Sequence, residues 1–245
     1  MLNKYSCIIT AFNESPRIIN VLKIATKIKN VNEVIVVDDG SSDDTSSIVK
    51  SNFPQVKLVV HEVNKGKVEA VRTGVDASKN NNLLLLDADL VGLVSTEIER
   101  ALDIFESDSL DCLVMLTEAD KYNKLIRKIF KGTSYVAGDR IIKKVILQNV
   151  LKDTSLKNYG LEIAENKYLF KNNCKVKRFQ LSAIDLGKNS KYGIVKGTIG
   201  PDFTFLVRIY FFYPQYLASK TQIRNIIFQK LNCLCLKTNG VRKLI

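Results

Sequence analysis

The 245-residue chain has little of what thiolate metal sites and disulfide frameworks require. Its five cysteines, at positions 7, 112, 174, 233 and 235, show no paired CxxC spacing, and its one histidine is His61. Cys7 and Cys112 lie within apolar runs, so we interpret them as small core residues. An odd number of cysteines in a chain without an export signal predicts a reducing, cytoplasmic environment.

Long apolar runs are also absent. No stretch reaches the ~20 uninterrupted apolar residues that span a bilayer. The first residues lead directly into a strand-like run and lack the long apolar segment of a secretory signal, so we expect a cytoplasmic protein. Apolar residues still make up 46% of the chain and charged residues 25%, which predicts a globular core.

Charge is divided unevenly along the chain. Residues 1–120 carry 12 Lys and Arg against 19 Asp and Glu, whereas residues 121–245 carry 25 against 6. An acidic first half suits a cation-assisted site. A basic second half suits phosphates, anionic lipid or nucleic acid, or is simply a solvated lysine-rich surface.

Short apolar runs alternate with amphipathic helical patterns in the first half. The runs, which predict strands buried on both faces, are Tyr5–Thr10, Glu33–Val37, Val56–Val60, Leu83–Leu86 and Leu110–Thr117. This alternation predicts an α/β fold with a mainly parallel sheet, in which ligands bind beyond the carboxyl ends of the strands. Further along, the pattern predicts helices over 121–131, 139–151 and 160–172, then a strand over Lys175–Ile184.

Carboxylates follow two of the predicted strands. Asp38 and Asp39 precede Gly40, and a carboxylate there can accept hydrogen bonds from a base N–H or a ribose hydroxyl. The alternative is a strand-to-helix turn rich in capping residues. Asp87 and Asp89 follow four leucines, where two carboxylates two positions apart can share a divalent cation. Oxygen ligands of this kind suit Mg²⁺ or Mn²⁺.

Together with Asn13-Glu14, these segments resemble the nucleotide-binding and metal-binding motifs of family-2 glycosyltransferases with the GT-A fold. The resemblance includes polyprenyl- and dolichyl-phosphate sugar transferases and related bacterial cell-envelope enzymes. Asn64–Ala70 is similar to the family's N-x-G-K-G-x-A loop, with Val68 where a glycine is usual. The resemblance covers residues 5–120 well and the rest of the chain more thinly.

The resemblance implies roles for particular residues in the first half. Asp87 and Asp89 would handle the metal-bound diphosphate, with Asp89 as the more direct ligand. The side chains implied to bind the nucleotide sugar are Thr10, Phe12, Glu14, Asp38, Asp39, Lys67 and Asp87.

Weaker similarities place acceptor residues in the second half. Gly138-Asp139-Arg140 is similar to an acceptor-side loop, and Asp139 would serve as base if the acceptor is a sugar hydroxyl. Glu162 resembles an acidic position near the acceptor, where it would act as a base or an orienting group. The alternative for Glu162 is a first-turn glutamate favoured by the helix dipole.

The segment Asp185–Gly193 resembles a loop that, in some relatives, closes over the diphosphate and supplies a histidine metal ligand. We interpret His61, in the third strand region, as structural. We therefore expect a carboxylate as third metal ligand, with Asp185 as the candidate. Lys188 and Lys191 would neutralise the leaving diphosphate.

The last part of the chain is basic and aromatic. Seven of the twenty Phe and Tyr residues lie between Phe203 and Tyr216, and the longest charge-free run there has eleven residues. Such a segment suits a membrane interface. A helical cap or a dimer contact is the alternative. We therefore predict a GT-A domain over 1–199, divided into a nucleotide-sugar half (1–120) and an acceptor half (121–199), and a basic aromatic extension over 200–245.

The resulting hypothesis is transfer of a sugar from a nucleoside diphosphate sugar to a lipid phosphate or a cell-envelope glycan, with Mg²⁺ or Mn²⁺, at the inner face of the membrane. A soluble phosphorylated acid is the alternative acceptor. A nucleotidyltransferase would need a glycine-rich phosphate loop after the first strand, where Thr10–Glu14 has none. We expect no nucleic acid, because the aromatic residues form one apolar patch and do not alternate with arginine along strands.

Overall fold

The computed structural model of the chain describes residues 4–119, 137–156 and 160–185. The strands are Tyr5–Ala11 (β1), Val31–Asp38 (β2), Lys57–Val60 (β3), Asn82–Asp87 (β4), Leu90–Val91 (β5), Cys112–Ala119 (β6), Arg140–Lys143 (β7) and Val176–Asp185 (β8). The helices are Ile18–Ala25 (α1), Thr45–Asn52 (α2), Lys67–Ala77 (α3), Ser95–Ser107 (α4), Lys144–Leu151 (α5) and Gly160–Lys171 (α6). The predicted helix over 121–131, Lys188, Lys191 and the extension 200–245 lie outside the described residues.

The strands form one sheet in the order β3-β2-β1-β4-β7-β6-β8-β5. The first four are parallel, with Cys7 of β1 paired to Val34 of β2 and Leu84 of β4. β7 runs antiparallel to both β4 and β6, β8 is parallel to β6, and β5 is antiparallel to β8. The α/β prediction is confirmed, and the sheet is parallel in its first half and mixed in its second.

Both faces of the sheet are covered, so successive strand residues enter different cores. Cys7 and Ile9 of β1 lie in the core formed with α1 and α4. Ile8, between them, lies in the core formed with α3, α5 and α6. Burial on both faces explains why these strands read as continuous apolar runs. Each fully buried aliphatic side chain stabilises the fold by about 1.5–3 kcal/mol.

One predicted helix is partly wrong. The pattern over 139–151 predicts a single helix, but Arg140–Lys143 is strand β7 and the helix begins at Lys144. Ile141 pairs with Leu84 and Leu113, and Ile142 lies in the opposite core. Pairing with two distant strands therefore overrides the local helical spacing. The predicted helix over 160–172 and strand over 175–184 are confirmed to within one residue by α6 and β8.

Candidate functional site

The carboxyl ends of the central parallel strands meet at one edge of the sheet. Thr10 of β1 pairs with Asp87 of β4, and Ala11 pairs with Asp38 of β2. This edge is where an open α/β sheet binds ligands. The fold therefore brings together the nucleotide and metal motifs that lie about 50 residues apart in sequence.

Asp38 organises the turn that leads into α2. Its side chain is buried, Oδ1 accepts a hydrogen bond from the backbone N–H of Ser41 at 2.9 Å, and Oδ2 accepts one from the Ser46 hydroxyl. These contacts favour the turn-building interpretation of this residue. Contact between Asp38 and a nucleotide stays a prediction.

Asp39 holds the loop that precedes α3. Its Oδ1 accepts a hydrogen bond from the Lys65 N–H at 2.9 Å and lies 2.7 Å from Nδ1 of His61, while Oδ2 accepts from the Gly66 N–H at 2.8 Å. The other ring nitrogen of His61 lies 2.9 Å from the Thr73 hydroxyl. Asp39 is 4% exposed, so these three contacts use most of the hydrogen-bonding capacity of its carboxylate. The predicted contact with base or ribose stays a prediction.

The loop after β1 is tied to the start of α2. The backbone N–H of Glu14 donates to the Thr45 hydroxyl at 2.9 Å, and its buried carboxylate lies 2.6 Å from Nε of Arg17. Asn13 adopts a left-handed φ of 56° and accepts a hydrogen bond from the Ser42 N–H at 2.8 Å. Phe12 is 41% exposed in the same loop. The loop thus presents an accessible aromatic ring on a braced backbone.

Lys67 joins the two halves of the site. Its Nζ lies 2.9 Å from Oδ1 of Asp87 and 3.2 Å from Oε1 of Glu162. Burial lowers the pKa of Lys67, but the carboxylates of Asp87 and Glu162 outweigh that effect and hold it well above its usual range. The ammonium is therefore charged at neutral pH and neutralises part of a carboxylate cluster.

The segment before β7 closes tightly over this ion pair. A Cβ at Gly138 would lie 2.5 Å from Nζ of Lys67 and 2.8 Å from Oδ2 of Asp87, so a larger residue there requires these side-chain ends to shift. Asp139 is buried, and its Oδ1 accepts a hydrogen bond from the backbone N–H of Asp87 at 2.9 Å. Asp139 thus braces the end of β4, and its predicted role as a base stays a prediction.

A second buried ion pair lies one turn along α6, and the sequence reasoning missed it. Nη1 of the fully buried Arg140 lies 3.1 Å from Oε2 of Glu165 and donates to Asn166 Oδ1 at 3.0 Å. Burial raises the pKa of Glu165 to about 7, against the opposing effect of Arg140. The spacing of Glu162 and Glu165, three residues apart on a predicted helix, was the available signal.

The predicted metal ligands lie where three strands meet. Asp87 ends β4, with 28% of its side chain exposed, and Asp89 is buried in the following turn. Asp185 ends β8, where its Cα pairs with Leu90, the residue after Asp89. Among the side chains that the structure describes, no group of three Asp, Glu, His or Cys residues could hold an ion. Two carboxylates still fit a cation that is shared with phosphate oxygens, as Mg²⁺ sites commonly are.

A sequence model of the family described as Glycosyl transferase family 2 matches residues 6–149. The chain belongs to this family. The match contains both carboxylate motifs, the loop before α3 and the Gly138-Asp139-Arg140 segment. The resemblance seen in the sequence is therefore confirmed.

Several proteins are similar in sequence to parts of this chain. A dolichyl-phosphate beta-glucosyltransferase of Trichomonas vaginalis is 28% identical over 147 residues, which cover 52% of this chain and 44% of that protein. The dolichyl-phosphate beta-glucosyltransferase of Dictyostelium discoideum is 33% identical over 98 residues, covering 34% and 30%. A poly-beta-1,6-N-acetyl-D-glucosamine synthase of Staphylococcus epidermidis is 33% identical over 90 residues, covering 35% and 22%. The chain spans less than half the length of these relatives.

Solved structures share the fold. Glucosyl-3-phosphoglycerate synthase from Mycobacterium tuberculosis, in complex with Mn²⁺, UDP-glucose and phosphoglyceric acid, matches with a TM-score of 0.60 at 19% identity, over 78% of this chain and 77% of that chain. Staphylococcus aureus TarS 1–349, in complex with UDP-GlcNAc, matches with a TM-score of 0.57 at 19% identity, over 74% and 58%. The predicted GT-A fold is confirmed. No helix in the described ranges is both long and apolar enough to cross a bilayer.

Proposed function

We propose that this family-2 protein transfers a sugar from a nucleoside diphosphate sugar to an acceptor, with a divalent cation at the end of β4. The observation that carries the proposal is the position of Lys67, whose ammonium lies within 3.2 Å of carboxylates from both halves of the chain, Asp87 and Glu162. Donor and acceptor residues therefore meet at one point on the ligand-binding edge of the sheet.

The donor side uses the loops after β1 and β2. Phe12 offers an exposed ring to a base, and Asp39 would accept a hydrogen bond from a base N–H or a ribose hydroxyl. Thr10 and Glu14 complete the proposed nucleotide contacts. Asp38 would contribute by holding the turn.

The residues at the end of β4 fit a hard cation. Asp87 and Asp89 would hold Mg²⁺ or Mn²⁺ together with diphosphate oxygens, and Asp185 is the proposed third carboxylate because β8 ends beside β5. The bound ion would offset charge on the leaving diphosphate. The ammonium of Lys67, which lies beside Asp87, would also offset negative charge on the leaving diphosphate.

The acceptor side depends on what attacks the sugar. Glu162 is buried 3.2 Å from Lys67 and would take the proton of a hydroxyl acceptor. A phosphate acceptor is already ionised and needs no base. We favour a lipid phosphate, because two of the relatives described above are dolichyl-phosphate glucosyltransferases. Peripheral contact with a membrane would bring the protein to such an acceptor.

A binding screen followed by a transfer assay tests the proposal. The full chain is scanned for thermal stabilisation by UDP-glucose, UDP-GlcNAc and GDP-mannose, each with and without Mn²⁺, since a ligand that binds the native state raises the melting temperature. Transfer is then measured to a polyprenyl phosphate in anionic vesicles and to 3-phosphoglycerate in solution. We expect cation-dependent stabilisation and transfer to the lipid. Transfer only to 3-phosphoglycerate would show that the acceptor is a soluble phosphorylated acid and not a lipid phosphate. If no donor stabilises the protein, the proposed function is wrong.

A further inference from the structure

One carboxylate oxygen of Glu165 has no hydrogen-bond partner among the described residues. Oε2 of this side chain pairs with Arg140 at 3.1 Å, whereas Oε1 is buried and has no hydrogen-bond partner in the described part of the chain. Glu165 is only 1% exposed, so bulk water does not solvate that oxygen. Buried polar atoms without a partner are rare in folded proteins, and a bound water or a ligand group is the usual explanation.

Glu165 lines a narrow cavity that opens onto the proposed site. The polar residues around it are Thr10, Lys67, Asp87, Glu162 and Glu165, and the remaining wall is formed by Ile8, Val71, Leu85, Leu86, Gly138 and Leu161. The space suits a single water-sized group. Because Asp87 and Thr10 belong to the donor side, a group in this cavity lies next to the proposed diphosphate position.

The chemistry of the wall selects what can enter. Arg140, 3.1 Å away, balances Glu165, which leaves the carboxylates of Asp87 and Glu162 against the one ammonium of Lys67. A phosphate group would be repelled there. An ionised carboxylate only accepts hydrogen bonds, so Oε1 of Glu165 needs a donor. A hydroxyl group meets both requirements, since it is uncharged, small and able to donate.

We propose that this cavity binds one hydroxyl group of the sugar carried by the donor, with Glu165 accepting its hydrogen bond. Glu165 thereby determines specificity, because a sugar that lacks this hydroxyl leaves the buried oxygen unpaired. The inference rests on the proposed function, since it takes a nucleotide sugar as the ligand. It adds a residue, Glu165, that contacts the sugar and makes no contact with the nucleotide.

The inference has a pH signature. Burial raises the pKa of Glu165 to about 7, and Arg140 opposes that shift. The hydroxyl stabilises the ionised form, so binding lowers this pKa and the sugar binds more tightly above pH 7 than below it. The charged and titratable groups around Glu165 are Arg140 of β7, Lys67 of α3, Glu162 of α6, Asp87 of β4, Asp139 before β7, and Cys112 of β6, which contacts Arg140.

Calorimetry on the full chain with Mn²⁺ tests the inference. Affinities for UDP and UDP-glucose, and for GDP and GDP-mannose as a second pair, are measured between pH 6 and 8.5. The terminal phosphate of UDP and of GDP has a second pKa of about 6, so the nucleotide affinities are expressed for the fully ionised form. The ratio of nucleotide-sugar to nucleotide affinity then cancels titrations of protein groups that affect both ligands alike. In the wild type we expect this ratio to rise about tenfold across the range. Glu165→Gln should flatten the rise and lower the ratio at high pH, with unchanged affinity for the nucleotide.

The control is Glu69→Gln, which removes a half-exposed carboxylate from a similar pair with Arg72, 3.2 Å away on α3. It should leave the ratio and its pH dependence unchanged. The wild-type series can overturn the inference even if Glu165→Gln fails to fold, because a flat ratio needs no variant to interpret. A flat wild-type ratio, or the same rise in Glu165→Gln, would overturn the inference and leave nucleotide binding intact. If neither the nucleotides nor the nucleotide sugars bind, both the inference and the proposed function are contradicted.

Discussion

The ammonium of Lys67, at the first position of α3, lies 2.9 Å from Oδ1 of Asp87, at the last position of β4. The second partner of Lys67, Glu162, comes from the other half of the chain. Two motifs that the sequence presents separately, a glycine-lysine loop and a strand-end carboxylate, therefore form one electrostatic unit. The ammonium of Lys67 therefore offsets one carboxylate from each half of the chain.

Lys67→Met should reduce turnover of the nucleotide sugar by about 100-fold, because removing one charged group from a transition-state site commonly has that effect. Lys67→Arg should recover part of the loss, since the charge returns with a different shape. Steady-state kinetics with the donor found in the screen would measure both. Lys57→Met is the matched control, because that ammonium contacts only the backbone carbonyl of Ala77 among the described residues. Equal kcat values in Lys67→Met and Lys57→Met would contradict the assignment.

Gly138→Ala should damage the site through crowding. The added Cβ would lie 2.5 Å from Nζ of Lys67 and 2.8 Å from Oδ2 of Asp87, so these side-chain ends must shift from their present positions. We expect a loss of about 1–3 kcal/mol in the free energy of unfolding, together with a marked loss of turnover. Gly160→Ala is the control, because among the described residues its Cβ would meet only Leu156, at 3.9 Å. Urea denaturation of both variants would measure the difference, and matching curves would show that the loop moves aside freely.

Asp89→Asn should abolish cation-dependent turnover of the donor and keep the fold. The substitution preserves the size of a buried side chain but removes a charged oxygen ligand. Turnover is measured at saturating donor across a Mn²⁺ titration, with circular dichroism to verify folding. Asp76→Asn, at an exposed position of α3, serves as the control. If Asp89→Asn is as active as the control at low Mn²⁺, Asp89 does not belong to the metal site.

Asp39→Ala should weaken binding of a nucleoside diphosphate that carries no sugar. It should also destabilise the protein by about 2–3 kcal/mol, because the N–H groups of Lys65 and Gly66 lose their charged acceptor. Calorimetry with UDP and GDP measures the first effect, and urea denaturation the second. If the variant is less stable but its folded form binds UDP and GDP with unchanged affinity, Asp39 only stabilises the loop before α3.

Local patterns in the sequence were sufficient for much of the fold. The apolar runs at Tyr5–Thr10 and Leu83–Leu86 predict β1 and β4 to within one residue at each end, because strands buried on both faces must be continuously apolar. The carboxylate motifs at their ends, with the loop before α3, were enough to indicate the family that the match over 6–149 confirms. Such features depend on neighbours in the chain, so they can be read without coordinates.

Only the tertiary structure decided the features that depend on distant partners. Ile141 and Ile142 have a helical spacing, yet they form a strand because β4 and β6 flank them and each enters a different core. Lys67 meets Glu162 across 95 positions, and one oxygen of Glu165 has no partner among the described residues because Arg140 pairs with the other. Composition and periodicity cannot predict such pairings, because the partners lie far apart in the sequence. Their free energy comes from desolvation and charge, which exist only once the two halves of the chain have come together.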